Sequence, residues 1–97
     1  MVVGVLMVEL FMPENSSLKE KRYYMRSIKD RLRNQFNVSV AEIDHQDKWQ
    51  RSSIAVVCAG SEYSYVQETL GKVRNFLDRN FPELIMSFKD KYLTPDM

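Results

Sequence analysis

Two stretches of this chain carry apolar residues at helical spacing, and each is followed by a stretch that alternates instead. In residues 16–36, Leu18, Met25, Ile28, Leu32 and Phe36 form one apolar seam. In residues 62–79, Val66, Leu70, Val73 and Leu77 form another, flanked by Tyr63 and Phe76. Ser17 and Glu20 have capping-box spacing, in which each side chain satisfies a backbone N–H that the first turn leaves unpaired. This helix should stop near Phe36-Asn37, where Val38 and Val40 begin a period of two. Ser61 reads as the N-cap of the second helix and Asn80-Phe81-Pro82 as its end. Gly71 costs that helix roughly 1 kcal/mol relative to alanine, a cost that close approach to a neighbour would explain.

The alternating stretches read as strands. In residues 2–12, Leu6, Val8, Leu10 and Met12 share one face, and Val3, Val5, Met7, Glu9 and Phe11 the other. An unpartnered Glu9 would be costly in a core, so the even-numbered face is assigned inward. Pro13 ends this strand, and Glu14-Asn15-Ser16 forms the turn. Residues 38–44 and 52–59 form a hairpin across the short polar segment 45–50. A turn near Asp47-Lys48 pairs Ala41 with Ile54 and Val38 with Val57. Ala41, Ile43, Ile54, Val56 and Cys58 then face inward; Val38, Val40, Glu42, Ser53, Ala55 and Val57 face outward. Slipping by one residue would bury Glu42, which favours this register. Leu84, Met86 and Phe88 alternate with Ile85, Ser87 and Lys89 in a fourth strand, and Thr94-Pro95-Asp96-Met97 reads as a tail.

Right-handed crossovers would set both helices on one face of a four-stranded antiparallel sheet. The expected fold is a ferredoxin-like βαββαβ sandwich of the α+β class, one domain over residues 1–97. A chain of 97 residues suffices for one core. Its single cysteine, Cys58, excludes an internal disulfide and a cysteine-built zinc site, and fits a reducing compartment. The apolar opening run lacks a basic flank and is too short to span a bilayer, so the expectation is a cytoplasmic protein with no membrane partner.

Ser17-Leu18-Lys19-Glu20-Lys21-Arg22, Phe36-Asn37-Val38-Ser39-Val40-Ala41-Glu42 and Asp47-Lys48-Trp49-Gln50-Arg51, with Pro13 after the first strand, give the chain a further character. In these strings it resembles the YlxP-like family of small bacterial proteins of unknown function. The resemblance implies a ferredoxin-like fold and a translation-associated gene neighbourhood, beside initiation and ribosome-maturation factors. It implies no activity, cofactor or catalytic residue.

The net charge of +1 drives nothing globally, so any electrostatic partner must be met locally. Seven of the 14 Lys and Arg residues lie in 16–36. Among them, Lys19, Arg22, Arg26, Lys29 and Arg33 form a stripe about 21 Å long, roughly 90° round from the apolar seam. Such a row suits phosphates on a nucleic-acid backbone; the competing reading is a solvated flank paired locally with Glu20 and Asp30. Lys48, Trp49 and Arg51 form a second candidate, an aromatic among cations on a hairpin. Against it stands a tryptophan folded back over the sheet edge, its indole N–H on a carbonyl. The third candidate is the outer sheet face, where Val3, Val5, Met7, Phe11, Val38, Val40 and Val57 would be bare. Its third strand offers no aromatic for base stacking, so a homodimer suits it better than RNA; the alternative is cover by the C-terminal tail.

Enzyme readings fare poorly. Cys58 would lie roughly 26 Å from His45 in the expected register, which excludes that dyad. Asp44, His45 and Asp47 lack a recognised ligand spacing. Glu9 and Glu42, placed on the outer face, read as solvated or as partners of Arg51 or Lys89. The three glycines are isolated and build no phosphate loop. The expectation is a non-enzymatic binding module without cofactor or metal, meeting ribosomal RNA or a ribosome-bound protein. The alternative is a homodimer working through its outer face.

Overall fold

The computed structural model describes residues 1–95; Asp96 and Met97, the end of the expected tail, lie outside the described residues. The chain runs β1 (Val2–Phe11), α1 (Leu18–Gln35), β2 (Ser39–Asp44), β3 (Arg51–Gly60), α2 (Tyr63–Asn80) and β4 (Ile85–Leu93). All neighbouring strands are antiparallel, in the order β2-β3-β1-β4. This is the ferredoxin-like α+β sandwich.

Leu6, Val8 and Leu10 on β1, with Met12 just beyond it, are no more than 2% exposed, so the even-numbered face is the inner one. Against it pack Met25, Ile28 and Leu32 of α1 and Val66, Leu70, Val73 and Leu77 of α2, all buried. Side chains of α2 press closely on the sheet at Gly4. A Cβ there would stand 2.6 Å from Val66 Cγ1 and 2.7 Å from Leu70 Cδ1, whereas one on Gly71 would meet nothing within 4 Å. The close approach expected of Gly71 therefore belongs to Gly4, on the opposing strand.

Ser17 caps α1 as its spacing implies: its Oγ accepts from the Glu20 N–H at 3.2 Å. The returning half is displaced by one residue, since the Glu20 carboxylate accepts from Ser16 Oγ at 2.7 Å and from Ser16 N at 3.3 Å. Ser61 does not cap α2; Glu62 holds that position without a side-chain bond. The first turn of α2 is exposed, so its N–H groups do not require a protein acceptor. In β4, Leu10 pairs with Ile85 but Glu9 with Ser87. Met86 is thus the extra residue of a bulge and is 56% exposed, while Ile85 and Phe88 pack on the core. The strict alternation expected for this strand breaks there.

The main departure is β2. Ser39 pairs with Val57, Val40 with Val56, Ala41 with Ala55 and Glu42 with Ile54, one residue out of the expected register. The whole strand is therefore turned over. Val40 is buried and Val38 packs on the core, so neither belongs to the outer face, while Ala41 and Ile43 are exposed. Glu42 turns inward, and its cost is met by a residue of α1. Lys21 sits on the apolar seam between Leu18 and Met25, is 2% exposed, and places Nζ 2.8 Å from Glu42 Oε2. Ser52, also buried, donates to the same oxygen at 2.6 Å. In the expected register that ammonium would be buried without an acid, at a cost of several kcal/mol.

Candidate functional site

α1 positions the basic stripe, and the overturned β2 supplies the wall opposite it. Arg22, Arg26, Lys29 and Arg33 line a groove of about 500 Å³, together with Met25, Asp30, Gln46 and the Lys21–Glu42 pair. Lys19 does not line it. Among the described residues neither Glu20 nor Asp30 forms the expected local ion pair, and the Glu20 carboxylate accepts from Ser16 instead. Among the described residues no stripe cation makes an ion pair, the pairs present being Lys21–Glu42, Lys72–Glu68 and the close approach of His45 to Asp44. With Glu42 committed to Lys21, Asp30 is the one acid facing four cations. Among the described residues no Ser, Thr, Cys or His lines the groove. Its chemistry is that of an anion cradle.

The four cations are not equivalent. Arg33 donates through Nη2 to the Val40 carbonyl at 2.7 Å, and Gln46 reaches the Glu42 carbonyl at 3.5 Å. Both bonds cover carbonyls of β2, an edge strand, and blunt it against pairing with another chain. Arg22 and Arg26 are exposed and make no hydrogen bond to the protein among the described residues. Arg31 turns the other way, its guanidinium over Phe76 and Phe81 at 5.0 and 5.2 Å, with Nη2 3.2 Å from Asn80 Oδ1.

Lys21 is the residue that sequence reasoning missed. It lines the groove, neutralises Glu42, and donates a second bond to the His45 carbonyl, which also accepts from Lys48 N at 3.1 Å. His45 takes the left-handed region (φ 63), a conformation histidine visits more readily than most residues. The buried ammonium thus ties the hairpin turn to α1. The signal was available, since Lys21 lies three residues after Leu18 and four before Met25.

The hairpin candidate forms a separate feature. Lys48, Trp49 and Arg51 line a shallow depression with Phe11, and it shares no lining residue with the groove. Trp49 is 49% exposed and does not fold back onto a carbonyl; its own carbonyl accepts from Asn15 Nδ2 at 3.0 Å. On the outer face, Val3, Val5, Met7, Phe11 and Val57 stand as expected. Glu9 accepts there from Ser53 Oγ at 2.6 Å, while Glu42 is turned inward to Lys21 and Ser52, so the two do not share the outer face. Cys58 is buried in the core opposite Gly4, and five residues of β3, roughly 17 Å, separate it from Ser53 at the His45 end. Among the described residues no group of three or more His, Cys, Asp or Glu could hold a metal. None of the helices is long and apolar enough to cross a membrane.

Comparison with known proteins places the chain in a family. Residues 3–89 match the model of a protein family of unknown function, DUF503. The chain is also 37% identical over 83 residues to the uncharacterized protein YlxP of Bacillus subtilis (strain 168), covering 86% of this chain and 89% of that protein. The chain belongs to this YlxP-like family of unknown function.

Proposed function

We propose that this protein is a non-enzymatic binding module that lays its α1–β2 groove along an RNA phosphate backbone, with ribosomal RNA as the partner. The observation that carries the reading is the set of four groove-lining cations, none of them tied up in an ion pair among the described residues. Each cation that neutralises a phosphate releases a condensed counterion, which gives such binding its salt dependence. Arg22→Glu with Arg26→Glu tests this, because both side chains are exposed and hold no structural bond. The double variant should lower the affinity for ribosomal RNA and flatten its salt slope by about 2, with folding unchanged. Equal binding by wild type and variant, or no binding at low salt, rejects the reading.

A second reading draws on the outer sheet face. With β2 turned over, Met7, Ala55 and Ala41 form one row across three strands, beside Val3, Val5 and Val57. A second copy packed sheet to sheet would cover this face. Sedimentation of Met7→Glu discriminates: a charge there should split such a dimer, and an unchanged dimer removes the interface.

A further inference from the structure

A second cavity, about 390 Å³, lies between the turn after β1, α1 and the turn before β4. Its character is opposite to that of the groove. Among the described residues no Lys or Arg lines it, while Glu14 and Glu83 do, and neither makes an ion pair. Tyr24 and Phe81 contribute aromatic rings, and Met12, Pro13 and Leu84 an apolar lining. Asn15, 3% exposed, also lines the cavity. Its Nδ2 donates to the Trp49 carbonyl and to Met12 Sδ, which leaves Oδ1 free to accept.

Aromatic rings joined by unpaired carboxylates and a free amide oxygen suit an organic cation. Between ammonium and guanidinium the protein itself supplies a precedent. Phe81 and Asn80, both lining this cavity, already receive the guanidinium of Arg31, which lies outside it. A planar guanidinium stacks on a ring while its five donors reach several acceptors, which a compact ammonium does less well. We propose that this cavity receives an arginine side chain of a partner protein, its guanidinium between Tyr24 and Phe81 and its donors on Glu14, Glu83 and Asn15 Oδ1.

An NMR titration of the full chain with a short arginine peptide tests the assignment. The citrulline and lysine versions of the peptide, and spermidine, serve as separate arms. The arginine peptide should shift the amides of Asn15, Tyr24, Phe81 and Glu83. The citrulline peptide, isosteric but neutral, should bind at least ten-fold more weakly, and the lysine peptide and spermidine more weakly than arginine. Glu14→Gln with Glu83→Gln alters two exposed side chains, so the amide spectrum should stay folded while the arginine peptide loses at least ten-fold in affinity. No shifts, shifts elsewhere, equal binding of citrulline, or indifference to the two glutamines overturns the site. Equal or tighter binding of lysine or spermidine overturns the guanidinium. The RNA reading is untouched by any of these outcomes, since Arg22 and Arg26 lie in the other groove.

Discussion

Lys21 Nζ lies 2.8 Å from Glu42 Oε2, joining the buried seam of α1 to the inner face of β2. Each residue is unfavourable there alone, and together they decide which face of β2 meets the core. The same ammonium holds the hairpin turn through the His45 carbonyl, so a single side chain sets both the strand's orientation and the wall of the groove.

Breaking that pair from one side should be costly. Lys21→Met leaves Glu42 inward with only Ser52 as a donor, and should lower the unfolding free energy by about 3 kcal/mol in urea titration. Lys21→Met combined with Glu42→Leu should recover most of the loss, because no charge then remains to be desolvated. A double variant no more stable than the single one would show that the His45 contact, not the ion pair, carries the energy.

The two glycines should respond in opposite directions. Gly4→Ala drives a methyl into Val66 and Leu70 and should destabilise by about 2 kcal/mol, the range of an overpacked core. Gly71→Ala adds a methyl in open space on a helix and should stabilise by about 1 kcal/mol through helix propensity. The midpoints of denaturant unfolding check both.

Arg26 and Arg33 share the groove but not the role. Arg26→Ala should weaken RNA binding and leave the melting temperature unchanged. Arg33→Ala should also lower stability by about 1 kcal/mol, because the Val40 carbonyl loses its donor. Amide exchange should rise along β2 in the second variant only.

Tyr92 introduces an alkaline limit. Its phenol is pushed up to about 12 by burial first, then by the neighbouring Asp90 carboxylate. The folded chain therefore keeps a proton that the unfolded chain loses near 10.0, the ordinary value. The stabilisation is fully present below pH 10 and is lost as pH rises from there to about 12. Tyr92→Phe should flatten that part of the decline in melting temperature, and a decline identical in both proteins would assign it to other groups.

Both helical seams, the cap at Ser17 and the inner face of β1 were legible in the sequence, because each depends on spacing within one element. β1 could be oriented from Glu9 alone, since Ser53 meets it on the outer face. The same rule misled for β2. Its two faces, Val38 with Val40 against Ala41 with Ile43, are nearly matched in apolar content, so the burial of Glu42 became the deciding cost. That cost depends on Lys21, 21 positions away on another element.

The basic stripe was likewise visible as a period along α1, but its wall was not: the groove exists because β2 is turned over beside it. The second cavity combines Asn15, Tyr24 and Phe81 from three separated segments and left no local pattern to find. Spacing along the chain determined the elements, their seams and the fold, because those follow from which residues can be hidden together within one helix or strand. The tertiary structure alone decided the orientation of β2 and the two concave surfaces, because a charge can be buried only where a distant partner arrives to meet it.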